Sequence, residues 1–277
     1  MVNSSSYTKF NRRLIVSGKV IEYFEYERLV VRCPEKERVG RRNATYTSAK
    51  IKADNREKTA QRAKQTVRRT INANPQLNKF LTLTFAENVK DLSKARYEFD
   101  KFIKRLKTRY EEIKYINVVE FQKRGAVHFH LLCNLPYVDV NEVAQIWQNG
   151  FIKINRIENV DNVGAYVTKY MTKGNIDERL IGRKCYSMSK GLNEPNEYIH
   201  TEEIDGILEN IEDVKRVYTN EFKSEYYGAV RYTQVICESP PKKPLFRLFR
   251  RLRARGCIPL PDNTETPFDE GTGRNSL

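Results

Sequence analysis

The chain has only three histidines and one tryptophan among its 277 residues, and its five cysteines are odd in number and far apart. Cys33, Cys133, Cys185, Cys237 and Cys257 make no C-x-x-C pair, so the usual zinc and redox spacings are missing and the cysteines read as reduced thiols. No stretch approaches the roughly 20 apolar residues of a membrane-spanning helix. The opening MVNSSSYTKFNRRLIVSG also lacks the apolar segment of a secretory signal. The expectation is a soluble, intracellular protein. Acidic residues are few: 35 Asp+Glu face 50 Lys+Arg, a net charge of +15. Net charge speaks to partners rather than to fold, and this one points to a polyanion.

The hydrophobic share of 39% is enough to build a core. Residues 1–75 read as a basic N-terminal extension. In it, RLIVSGKVIEYFEYERLVVR alternates apolar and polar residues and breaks at Ser17-Gly18 as a hairpin does, and Arg56 to Thr70 suits a helix too polar for a core. That helix is expected to lie on phosphates or in solvent. Residues 76–185 alternate sheet and helix. They read as a strand at Phe80–Phe85, a helix capped by Ser93 with Phe99, Phe102, Ile103 and Leu106 on one side, and strands Tyr115–Gln122 and Ala126–Cys133. A helix near Val140–Gln148, a strand at Phe151–Asn155 and a helix from Asn162 to about Lys173 follow. The order β-α-β-β-α-β-α predicts an α+β fold, a central antiparallel sheet of about five strands with helices on its faces. Residues 186–255 read as an accessory region: a helix over Ile199–Tyr218, a strand over Ala229–Cys237 and a basic amphipathic end, Leu245–Arg255. Residues 256–277 read as a disordered tail.

His128 and His130 stand two apart in an apolar strand, so both imidazoles leave one face. A three-residue hairpin loop favours Gly at its last, left-handed position, and Lys123-Arg124-Gly125 supplies it. That loop pairs Phe121 with Val127 and sets Glu120 opposite His128, with His130 diagonally within reach. A two-residue loop would turn Glu120 to the other face. Two imidazoles and a carboxylate with open positions suit Mg²⁺ or Mn²⁺ better than a closed zinc site. Downstream, Y-x-x-K occurs twice in YVTKYMTK, placing Tyr166, Lys169, Tyr170 and Lys173 within one sector of about 100° of a helix, beside Val163, Val167 and Met171. A phenol needs a nearby cation, metal or base to act as a nucleophile at neutral pH, and the lysines offer such a field.

FLTLTF, the His-hydrophobe-His of Val127 to Leu131, and YVTKYMTK, in that order, resemble the three motifs of the HUH endonucleases, in particular the two-tyrosine rolling-circle replication initiators of phages and plasmids. The resemblance runs from about Lys79 to Lys173. It implies a ferredoxin- or RRM-like nuclease core and a metal-dependent endonuclease and strand transferase acting on single-stranded origin DNA. Tyr166 or Tyr170 would attack, leaving a 5′-phosphotyrosine and a 3′-OH that primes synthesis. His128, His130 and Glu120 would hold the ion, while Lys169 and Lys173 would position phosphate. It also implies the cytoplasm of a bacterial host. The sequence has no G-x-x-x-x-G-K-[ST] motif, so a host helicase is expected to unwind and a host polymerase to extend. A relaxase or an HUH transposase would use the same chemistry, and a non-catalytic single-strand-binding protein is the reading from another class.

Overall fold

Alternating apolar residues on both sides of Gly18 build the first hairpin, strand β1 (Thr8–Ser17) with β2 (Val20–Arg32), paired antiparallel. The computed structural model describes residues 7–32, 49–122, 124–157, 160–171, 180 and 183–241, with 49–54 described by their backbone alone. The chain divides into two compact units, Met1–Lys242 and Lys243–Leu277, and every described residue belongs to the first. The basic segment Leu245–Arg255 and the tail after Gly256 lie outside the described residues.

After the hairpin come α1 (Ala49–Asn72), β3 (Lys79–Phe85), α2 (Leu92–Arg109), β4 (Tyr115–Phe121), β5 (Val127–Cys133), α3 (Val140–Trp147), β6 (Gly150–Arg156) and α4 (Val163–Thr168). A 3₁₀ turn at Lys169–Met171, short strands β7 (Tyr186–Met188) and β8 (Asn196–Tyr198), α5 (Thr201–Leu208), β9 (Val214–Ser224) and β10 (Gly228–Cys237) complete the order. The fold is α+β, as the alternation of elements predicts. Among the described residues it has two antiparallel sheets of five strands, β8-β1-β2-β10-β9 and β6-β3-β5-β4-β7.

The second sheet has helices on both faces. Period-two alternation sends Leu81, Leu83, Phe129 and Leu131 to one face, where they pack under Phe99, Phe102 and Leu106 of α2 and Trp147 of α3. Phe80, Ile116, Val118 and Leu132 go to the other face, against Val67 and Ile71 of α1 and Val167 of α4. The two histidines belong to this second face. No helix among the described residues is long and apolar enough to cross a membrane.

Four elements differ from the sequence expectation, each for a local reason. Asp91, not Ser93, caps α2, its carboxylate accepting from the Ser93 N–H at 2.7 Å, because a cap bonds the amide two positions on. The expected helix over Ile199–Tyr218 is helical only in α5. The chain turns at Asp213, whose φ is 54°, and Val217-Tyr218-Thr219 continue as a strand paired with β10. Helix α4 is shorter than expected, tightening to 3₁₀ after Thr168, whose hydroxyl is spent on the Gly164 carbonyl at 2.8 Å. Helix α1 is longer than expected, and its last third is no solvated arm. Val67 and Ile71 are buried, and Arg69 Nε donates to buried Glu22 of β2 at 2.6 Å beside Arg68 on the same carboxylate.

Candidate active site

The loop between β4 and β5 sets the geometry of the site. Gly125 has a φ of 86°, which disfavours any side chain. Its N–H donates to the Gln122 carbonyl at 2.7 Å, and Gln122 N–H donates to the Ala126 carbonyl at 2.9 Å. The pairing that follows places Phe121 opposite Val127, Glu120 opposite His128 and Val118 opposite His130, the register read from the loop length. Lys123 lies outside the described residues.

Across the sheet these residues stand in rows. Phe151, Thr84, His128 and Glu120 make one; Lys153, Thr82, His130 and Val118 make the next. Both imidazoles are buried. Glu120 does not bond the histidine opposite it. Its Oε2 lies 2.6 Å from Nε2 of the diagonal His130. A carboxylate only accepts, so this contact puts the proton on Nε2 and leaves Nδ1 to accept from the Thr82 hydroxyl at 3.3 Å. His128 Nε2 is buried with no hydrogen-bond partner. Burial pushes the His128 pKa down, as do His130 and Arg124, and the pull of Glu120 does not cancel them. His128 is therefore a neutral imidazole at neutral pH, with a nitrogen to offer.

Helix α4 lies over this face because α1 holds it there. A Cβ at Gly164 would come within 2.2 Å of the Arg68 carbonyl oxygen, so glycine alone permits the approach. Asn72 of α1 accepts from the Gly164 N–H at 2.8 Å and donates to Asn162, which caps α4 through the Ala165 N–H at 2.9 Å. The tyrosines face the sheet. The Tyr170 ring stacks on His130 with centroids 4.0 Å apart and on Phe80 at 5.5 Å, and Tyr166 meets Phe80 edge-on at 5.9 Å. Burial pushes the Tyr170 phenol up to about 12, helped by its hydrogen bond with Tyr166 and by the nearby charges of Tyr166 and Glu120. Lys169 is exposed, with Nζ 5.8 Å from the Tyr166 ring centroid. Lys173 lies outside the described residues. Of the residues singled out in the sequence, His128, His130, Glu120, Tyr166 and Tyr170 come together on one face, with Lys169 at its edge.

A divalent ion has a donor set here in two imidazoles and a carboxylate, and the buried, unpartnered His128 Nε2 is the observation that fits it. Among the described residues no group of three or more His, Cys, Asp or Glu side chains stands arranged as a ready cage. Glu120 and His130 are closed on each other, so an ion would take the place of the proton between them.

Two residues of this face had no signal of their own in the sequence. Phe151 and Lys153 belong to edge strand β6, in the rows of His128 and His130. Phe151 is 73% exposed, an aromatic ring held in solvent beside the imidazole row. Their alternation with Ile152 and Ile154 marks a half-exposed strand, but only the register shows which row each joins.

Residues 78–175 match the family model of the ORF2 class of replication-associated proteins. The matched segment runs from β3 through the 3₁₀ turn and includes every residue discussed above. It is similar to proteins associated with DNA replication. No curated protein and no solved structure matches the chain.

Proposed function

We propose that this chain nicks and rejoins single-stranded DNA at a replication origin, as an initiator of rolling-circle replication. The match to a replication-associated family supports the biological setting, and the motif order supports the HUH two-tyrosine type. The observation that carries the chemistry is the stacking of Tyr170 on His130 while Glu120 bonds the same imidazole.

In the reaction a Tyr166 or Tyr170 oxygen attacks the phosphorus, the O–P bond to tyrosine forms and the P–O3′ bond breaks. The phenol loses a proton and the 3′-oxygen gains one. The products are a 5′-phosphotyrosine and a 3′-OH, and the retained phosphodiester equivalent lets the strand be rejoined without ATP. His128, His130 and Glu120 would hold Mg²⁺ or Mn²⁺, which would supply Lewis-acid stabilisation of charge on the phosphoryl oxygens. Phe80 and His130 hold the Tyr170 ring flat on the sheet, which limits the directions its hydroxyl samples. A phenol held up at about 12 is almost wholly protonated at neutral pH, so the resting site stores no phenolate and needs added positive charge to make one. Lys169, at the rim, and Lys173 are assigned to the scissile phosphate. The second tyrosine allows a second cleavage while the first still carries DNA.

Incubation of labelled single-stranded origin DNA with the protein and Mn²⁺, resolved on a denaturing gel, tests this directly. The covalent adduct should form, persist at a reduced level in Tyr166→Phe or Tyr170→Phe, and vanish in the double variant. An undiminished adduct in the double variant removes both tyrosines from the mechanism. The direct Glu120–His130 contact favours a second reading, a single-strand-binding protein that does no chemistry. Tight binding with no adduct at any Mn²⁺ concentration would establish that reading.

A further inference from the structure

The sheet β8-β1-β2-β10-β9 lies almost wholly outside the segment that matches the replication family. Its two faces differ. On one, Leu14, Val16, Ile21 and Val235 are covered by Ile204 and Ile207 of α5. The other face carries a continuous line of rings across three strands. Tyr218 of β9 meets Tyr232 of β10 at 6.3 Å, Tyr232 meets Phe24 of β2 at 5.0 Å, and Phe24 stacks on Tyr26 at 6.3 Å with planes 5° apart. The line becomes more exposed toward the sheet edge, where Tyr218 is 56% and Phe222, on the same face of β9, is 47% exposed. Strand β9 is exposed along almost its whole length.

The charge on this face is cationic. Glu22 is gripped by Arg68 and Arg69, and Glu197 by Arg13 and Arg32. Arg13 also lies over the Phe24 ring, 5.8 Å from its centroid. Arg216, on the ring-bearing side of β9, reaches Asp161 at 3.5 Å. Five guanidiniums thus meet three carboxylates. Asp161 directly precedes Asn162, the cap of α4, so the cationic start of β9 adjoins the helix that carries the tyrosines.

We propose that this face is a second binding site, a stacking platform for the bases of single-stranded DNA leading to or from the tyrosines. Exposed rings accept any base because every base has a π-face, and guanidiniums beside them accept the phosphates. A duplex keeps its bases stacked on one another and cannot use the rings, so the chemistry selects an unpaired strand. The choice of DNA over RNA rests on the proposed function.

The test uses the full chain and a fluorescently labelled oligo-dT of about 20 nucleotides, enough to span one such site. By fluorescence anisotropy, Tyr218→Ala with Phe222→Ala should bind roughly tenfold or more weakly, while Tyr218→Phe with native Phe222 should bind as the parent does. Unchanged affinity in the double alanine variant overturns the platform, as does an equal loss for duplex DNA or a preference for oligo-U over oligo-dT. A second readout does not depend on tolerance of alanine. The chain has one tryptophan, Trp147, and it is fully buried, so Tyr218→Trp introduces an exposed reporter whose fluorescence stacked bases should quench. No quenching at saturating oligo-dT rejects the proposal. The double Tyr166→Phe, Tyr170→Phe variant separates the two claims. Its oligo-dT affinity should still depend on Tyr218 and Phe222 whether or not the parent protein forms an adduct.

Discussion

Glu120 accounts for much of the site's chemistry. Its carboxylate sets the proton of His130, adds to the rise of the Tyr170 phenol and leaves His128 without a partner. Replacing His128 with Ala should therefore reduce adduct formation by about 100-fold or more, in line with loss of a metal ligand or of its support. Affinity for single-stranded DNA should change little, since it is spread over many basic residues. Measuring both on one preparation decides the matter, because parallel loss of both indicates misfolding. Phe151 offers a second test. As an exposed ring beside the imidazole row it is placed to stack a base next to the scissile phosphate, and Phe151→Ala should raise KM several-fold with kcat nearly unchanged. A fall in kcat alone would instead place Phe151 in the chemical step.

At the scale of elements, the decisive contact is between α1 and α4. The tyrosine helix has six residues before its 3₁₀ turn, too few to be stable by itself. It is held by the Asn72–Asn162 pair and by the close approach at Gly164. Gly164→Ala drives a methyl group into the Arg68 carbonyl and should cost about 1–3 kcal/mol, the range for overpacking. The variant should also lose adduct formation more steeply than thermal stability, because α4 moves relative to His130. Urea unfolding and adduct yield, measured together, check this, and full activity in a destabilised variant would show that the helix position tolerates the shift. The hairpin loop is the other determinant. Deleting Lys123 makes it a two-residue loop, turns Glu120 to the opposite face and should abolish cleavage.

At the scale of the molecule, Glu22 ties α1 to the sheet that bears the aromatic platform. Burial alone would push its carboxyl up, but the Arg69 hydrogen bond, the charges of Arg68 and Arg69 and the Tyr232 hydroxyl outweigh it, and the net shift is downward. A depressed carboxyl stabilises the fold fully above its unfolded pKa of about 4.3, and this contribution is lost as pH falls through the lower folded value. Thermal melts should therefore show Glu22→Gln well below the parent at pH 7, with the gap closing below about pH 4. A gap that is constant with pH would assign the effect to packing rather than charge. Near neutral pH the loss should be about 3–5 kcal/mol, the cost of breaking a buried ion pair from one side.

What the sequence determined by itself is local and periodic. A strand's two-residue repeat is enough to put His128 and His130 on one face, and the glycine that ends a three-residue loop is enough to bring Glu120 to the same row. The helical repeat likewise put Tyr166 and Tyr170 on one side of α4. The tertiary structure decided that the carboxylate reaches the diagonal histidine, that a polar helix buries its last third, and that strands from both ends of the described chain share one sheet. Contacts between residues far apart in sequence leave no period to read. The polarity of α1 hid its packing, since two buried apolar residues and a shared carboxylate suffice to dock a helix whose remainder faces water.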